Sequence, residues 1–168
     1  MTTAARTEIY RFSLWVFIAA SVLAILLQVY LPLHLPALAL LDLPLLVVIY
    51  FSLNRRNPST GLLHGLLVGL AQDALSNHSI GQYGMAKTLV GFAASSVGIR
   101  VDVDQPTARL LLVFIFYFLH QLLFRGVEWL LLARPVAWLS LTTLEAALVN
   151  ALLAVLVFHL LDRFRRTT

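Results

Sequence analysis

Three ionisable residues stand in segments that are otherwise almost wholly apolar: Asp42 in LLDLPLL, Asp73 in GLAQDALS and Lys87 in GMAKTLV. Carboxylates and an ammonium in such surroundings can clamp one helix to another, hold a polar ligand, or carry a proton. A charge at the centre of a bilayer costs at least ~2.5 kcal/mol on insertion scales, so each needs a partner or water. Asp73 and Lys87 lie on either side of the polar turn SNHSIGQ, each about one helical turn away from it, which puts them at similar depth and makes an ion pair between them sterically plausible. The structural reading, a clamp with Lys87 also snorkelling outward, is favoured over a ligand or proton site, because helix ends are solvated cheaply. Asp42 precedes Pro44 at the start of a run. It suits an interfacial cap on the helix N-terminus, with membership of one outer polar cluster alongside Asp73 and Lys87 as the alternative.

A second polar group, His120, Gln121, Arg125 and Glu128, falls in one long apolar run. Gln121 and Arg125 are four apart, and Arg125 and Glu128 three apart, so these side chains can satisfy one another on one face. With Glu145 and Asn150 they could form a buried seam. The favoured reading puts Arg125 and Glu128 at the outer interface, since the chain there approaches Arg134 and Pro135.

Catalytic motifs are missing from the sequence: it has no HExxH metal motif, no GxSxG elbow, no Gly-rich phosphate loop and no paired intramembrane-protease aspartates. His64 stands nine residues before Asp73, over two helical turns away, so a dyad between them is out of reach. His34, His78, His120 and His159 are scattered and read as interfacial or locally satisfied groups. Cysteine is absent, which removes disulfides, thiolate metal sites and a thiol nucleophile. A noncatalytic protein without metal or cofactor is expected.

The elements that carry these residues belong to a membrane protein. Of 168 residues, 60% are hydrophobic and only 12% charged, against about 25% charged in a soluble domain. Mean hydropathy is +0.88. A pI near 10.0 raises nucleic acid as a partner, but the basic residues form neither a stripe nor an aromatic-interleaved patch, so nucleic acid is excluded. Six runs approach the ~20 residues that cross a bilayer: about 12–31, 37–53, 60–75, 83–99, 107–132 and 140–161. The first is too long for a signal-peptide core and lacks a small-x-small cleavage site, so it reads as a retained helix. The third and fourth are short, and a re-entrant pair within a four-span protein is the alternative to six spans. Connections are short throughout, so the fold expected is all-α, one compact polytopic bundle of about six transmembrane helices over 1–168.

Glycine spacing specifies how two of those helices meet. Gly61, Gly65, Gly69 and Asp73 recur every four residues along one face, and Gly84, Thr88, Gly91, Ser95 and Gly98 step along one side of the next run. Such stripes let backbones approach closely, so a tight antiparallel pair is expected. Orientation follows from the placement of Lys and Arg. With both termini in the cytoplasm, Arg6, Arg11, Arg55, Arg56, Arg100, Arg109, Arg163, Arg165 and Arg166 fall inside, and Arg134 outside.

The order LDLPLLVVIYFSLNRR followed by PSTGLLHGLLVGLAQDALSNHSIGQYGMAKTLVGF resembles the MreD family of bacterial rod shape-determining proteins. The cues are Asp42 opening the second helix, Tyr50 and Phe51 near its end, Gly65-x-x-x-Gly69-Leu70-x-x-Asp73, and the Gly81 turn into a small-residue helix. The resemblance implies a noncatalytic scaffold in the inner membrane that supports lateral peptidoglycan synthesis as part of the elongation machinery. Its implied partners are the single transmembrane helix of MreC and, indirectly, RodA, the elongation penicillin-binding protein and MreB. It also implies a fold similar to the substrate-binding S components of energy-coupling-factor transporters. A vitamin-type transporter subunit with a polar pocket is therefore the alternative function.

Overall fold

The computed structural model describes residues 13–76, 79–101 and 103–165. The described residues form six α-helices and no strand: α1 (Leu14–His34), α2 (Leu43–Arg55), α3 (Pro58–Leu75), α4 (Gln82–Gly98), α5 (Pro106–Leu132) and α6 (Leu141–Asp162). Among the described residues, four segments are long and apolar enough to cross a membrane: Leu14–His34, Pro36–Arg55, Pro106–Leu132 and Leu141–Asp162. The chain is an all-helical membrane bundle. Phe12, at the start of the first expected run, lies outside the described residues, as do Arg6, Arg11 and Arg166 of the charge pattern, and His78.

Proline placement explains where the second helix departs from expectation. It begins at Leu43 and not at 37, because Pro36 opens a separate 3-10 turn, Pro36–Leu40, and the extended Leu41 then breaks the chain's direction. Pro44 sits in the first turn of α2, where its missing N–H costs nothing. Pro32, in contrast, does not end the first helix: α1 runs through it to His34. At 18 and 17 residues, α3 and α4 extend roughly 26 Å at ~1.5 Å per residue, close to the ~30 Å hydrocarbon thickness.

α2 is the centre of the bundle, with every residue from Pro44 to Asn54 buried. α1, α3 and α4 pack around it, α5 packs on α4, and α6 closes against α5; the most extensive contact of all is between α3 and α4. α1 is the opposite of α2, burying only Ser21, Ala24 and Ile25. Exposed leucines along α1, α5 and α6 are what a lipid-facing surface requires.

A knot of charge closes the end of the bundle where α2 and α6 finish. Asp162 accepts from Tyr50 Oη at 2.8 Å, Arg109 Nη1 at 2.6 Å and Arg165 Nε at 2.7 Å. Arg165 also donates to Asp104 at 2.6 Å and to Asn54 at 2.7 Å. The residues Arg55, Arg56, Arg100 and Arg163 end helices on this side.

Candidate functional site

α3 and α4 approach to backbone contact. A Cβ added at Gly65 would overlap the Lys87 carbonyl; at Gly69 it would lie 2.7 Å from Gly84 Cα; at Gly61 it would overlap Ser95 Oγ and the Gly91 carbonyl. Reciprocally, a Cβ at Gly91 would strike the Gly61 carbonyl, and one at Gly84 would come within 2.9 Å of Leu70 Cδ2. Gly61, Gly65, Gly69, Gly84 and Gly91 thus share one interface, while Gly98 at the far end of α4 meets Leu53 of α2. This seam fixes the depth of Asp73 and Lys87.

Asp73 and Lys87 do not pair, contrary to the expectation from their spacing. The Asp73 carboxylate accepts three backbone N–H groups, from Gly81 at 2.9 Å, Tyr83 at 3.0 Å and Gly84 at 2.9 Å. It caps the N-terminus of α4 from a neighbouring helix. The reason is local: Gly81 stands in the N-cap position with φ 100 and has no side chain of its own to satisfy those donors. A carboxylate there also meets the positive end of the helix dipole.

Lys87 turns the other way, towards α2, and does not snorkel. Its side chain is fully buried, at 0% exposure. Nζ donates to Asp42 at 2.9 Å (Oδ1) and 2.7 Å (Oδ2), and lies 3.4 Å from His120 Nε2 on α5. These contacts account for the three donors of an ammonium. Asp42 caps α2, its Oδ1 accepting from Leu45 N at 3.0 Å, and both of its oxygens hold Lys87; the outer cluster of Asp42, Asp73 and Lys87 does not form, because Asp73 is taken up by the α4 N-terminus. Its own N–H donates to Asn150 Oδ1 at 2.8 Å, and Asn150 Nδ2 donates to the Leu40 carbonyl. Four helices therefore converge on one buried Asp42–Lys87–His120 cluster.

A cavity of about 260 Å³ opens beside that cluster, at the end of the bundle opposite the Asp162 knot. Asp42, Gln72, Tyr83, His120, Gln121 and Arg125 are among the polar residues that line it. Tyr83, His120 and Phe124 stack together on its wall, with Tyr83 and Phe124 centroids 4.7 Å apart. Gln72 Oε1 and His120 Nδ1 are buried and have no hydrogen-bond partner in the protein.

The rest of the polar group on α5 disperses. Arg125 Nη1 donates to the Ala137 and Trp138 carbonyls, and its Nη2 donates to Thr143 at 2.6 Å, so it holds the α5–α6 connection and not Glu128. Gln121 donates to Tyr117 Oη at 3.0 Å. Glu145 is exposed, and Asn150 serves Asp42, so no seam of Arg125, Glu128, Glu145 and Asn150 forms. His64 meets Ser21 Oγ at 2.9 Å, joining α3 to α1. Sequence reading did not single out the Asp42–Lys87 pair, the contribution of His120 to it, or the Asp162 knot. Proline and charge signals mark Asp42 and Lys87 singly, but their pairing spans 45 residues and follows only from the packing of α2 on α4.

A search of curated proteins and a search of solved structures each gave no match. The protein-family model described as rod shape-determining protein MreD matches residues 8–164, nearly the whole chain. The chain belongs to the MreD family of rod shape-determining membrane proteins.

Proposed function

We propose that this protein is a noncatalytic scaffold of the cell-elongation machinery, seated in the inner membrane with both termini in the cytoplasm, and that it acts by receiving the transmembrane helix of MreC. The observation that carries the reading is an apolar groove of about 290 Å³ between α1 and α6, floored by Leu43 and Val47 of α2. α1 and α6 make no contact with each other, so the groove is open along the bilayer. Its walls are Leu23 and Leu27 on one side and Val157 and Leu160 on the other. Helix association in lipid depends on packing surfaces of this kind, because exclusion of water supplies no drive there. Described arginines gather at the Asp162 end of the bundle, which supports placing that end inside. The Asp42 cluster then faces the periplasmic half, where lateral peptidoglycan synthesis takes place.

Co-purification with MreC from detergent tests the scaffold. Leu23 and Leu160 are exposed and line the groove, so Leu23→Trp and Leu160→Trp fill it without touching the core. Capture of MreC should fall sharply for both, and should be unchanged for Leu67→Trp on the exposed face of α3. Undiminished capture by the groove variants would refute this placement of the partner.

A further inference from the structure

The cavity beside Asp42 is furnished as a binding site, and the groups left over in it describe the ligand. Arg125 commits three of its N–H donors to Ala137, Trp138 and Thr143, which leaves its Nε–H and one Nη2–H free. No carboxylate of the described residues lies within ion-pair distance of it. Asp42, the carboxylate lining the cavity, is already matched by Lys87 at 2.7 Å. Arg125 is therefore the uncompensated charge at the cavity, and it is positive.

Two further groups refine the chemistry. With His120 Nε2 taken up by the Lys87 ammonium, the ring proton lies on Nδ1, and that N–H has no protein partner. Gln72 is 5% exposed and its amide makes no hydrogen bond in the protein; its buried Oε1 can only accept. The residues lining the cavity thus hold unused donors at Arg125 and His120 and an unused acceptor at Gln72. A guest that fits carries an anionic group with several acceptor oxygens and at least one hydroxyl to donate. We propose that this cavity binds a hydroxylated phosphate, a polyol phosphate presented either as the headgroup of an anionic phospholipid or as a free solute. The phosphate takes the Arg125 N–H groups, the hydroxyl donates to Gln72, and the ring of Tyr83 and Phe124 covers the carbon skeleton. This site is separate from the α1–α6 groove and does not depend on MreC.

Full-length protein in nanodiscs provides the test, with two probes. Native mass spectrometry of nanodiscs mixing phosphatidylglycerol with phosphatidylcholine reads lipid retention, and thermal unfolding with added glycerol 3-phosphate, against inorganic phosphate, reads solute binding. Selective retention of phosphatidylglycerol assigns the lipid source; stabilisation by glycerol 3-phosphate assigns the solute. Either supports the site when Gln72→Leu and Arg125→Gln weaken that binding about tenfold. Gln72→Leu breaks no bond in the protein, so it folds as the parent does and carries the test if Arg125→Gln loosens the α5–α6 connection. Equal retention of both lipids together with no advantage of glycerol 3-phosphate over inorganic phosphate overturns the proposal, as does unchanged binding by Gln72→Leu.

Discussion

At the scale of single residues, the energetics centre on Lys87, whose ammonium is held by both Asp42 oxygens with no access to solvent. Removing one member of a buried pair strands the other charge, at a cost of about 3–5 kcal/mol. Lys87→Met should therefore lower the unfolding temperature in detergent steeply. Asp42→Asn strands the Lys87 ammonium in turn and should cost a comparable amount, because its NH2 would face Lys87 in place of one accepting oxygen; adding it to Lys87→Met should restore part of the loss. An additive double variant would show that the two side chains do not depend on each other. Asp73 is a different case, because its partners are backbone N–H groups: Asp73→Ala should cost about 2 kcal/mol, the upper range for a lost cap. Asp73→Asn should be milder, since its carbonyl can keep the Gly81 and Gly84 bonds and lose only that to Tyr83. Measured unfolding of the two variants decides the order. The capping role of Asp42 was legible in the sequence because Pro44 and the following apolar run mark a helix start. The partner of Lys87 was not, since spacing along a chain reports same-helix and adjacent-helix neighbours only, and Asp73 was the nearest candidate by that measure.

At the scale of elements, the α3–α4 seam carries the design. The faces that both helices bury carry few large apolar side chains, and glycines at four-residue spacing replace side-chain interdigitation with backbone contact. Gly65→Ala would drive a methyl into the Lys87 carbonyl, so α3 must shift; a loss of about 1–3 kcal/mol is expected, as for an overpacked core. Gly126 is the internal control. A Cβ there meets nothing within 4 Å, so Gly126→Ala should leave stability unchanged or slightly raised, and a loss as large as that of Gly65→Ala would contradict the packing argument. Helix positions were readable from apolar run length, and the seam from glycine period. The late start of α2 was not, because an apolar run looks the same whether its first residues form a 3-10 turn or an α-helix; Pro36 and Pro44 together make the difference. Arg125 also escaped a reading by period, because two of its three acceptors are backbone carbonyls of a connection, which carry no sequence signal, and the third, Thr143, is on another helix.

At the scale of the whole molecule, the two ends of the bundle and its side have distinct characters. One end is tied by Arg109, Asp162 and Arg165, the other holds the polar cavity, and the flank between α1 and α6 is purely apolar. The connections between the described helices are short, so the proposed scaffold acts through contacts within the bilayer. The role proposed for the flank is to receive the MreC transmembrane helix. Its most direct test is site-specific photo-crosslinking in cells, with a photoreactive residue placed at Leu23 or Val157 in the groove and, for comparison, at Leu67 or Leu89 on the exposed faces of α3 and α4. Adducts with the MreC transmembrane helix are expected from the groove positions and none from the comparison positions; adducts from α3 and α4 with a silent groove would refute this placement of the partner.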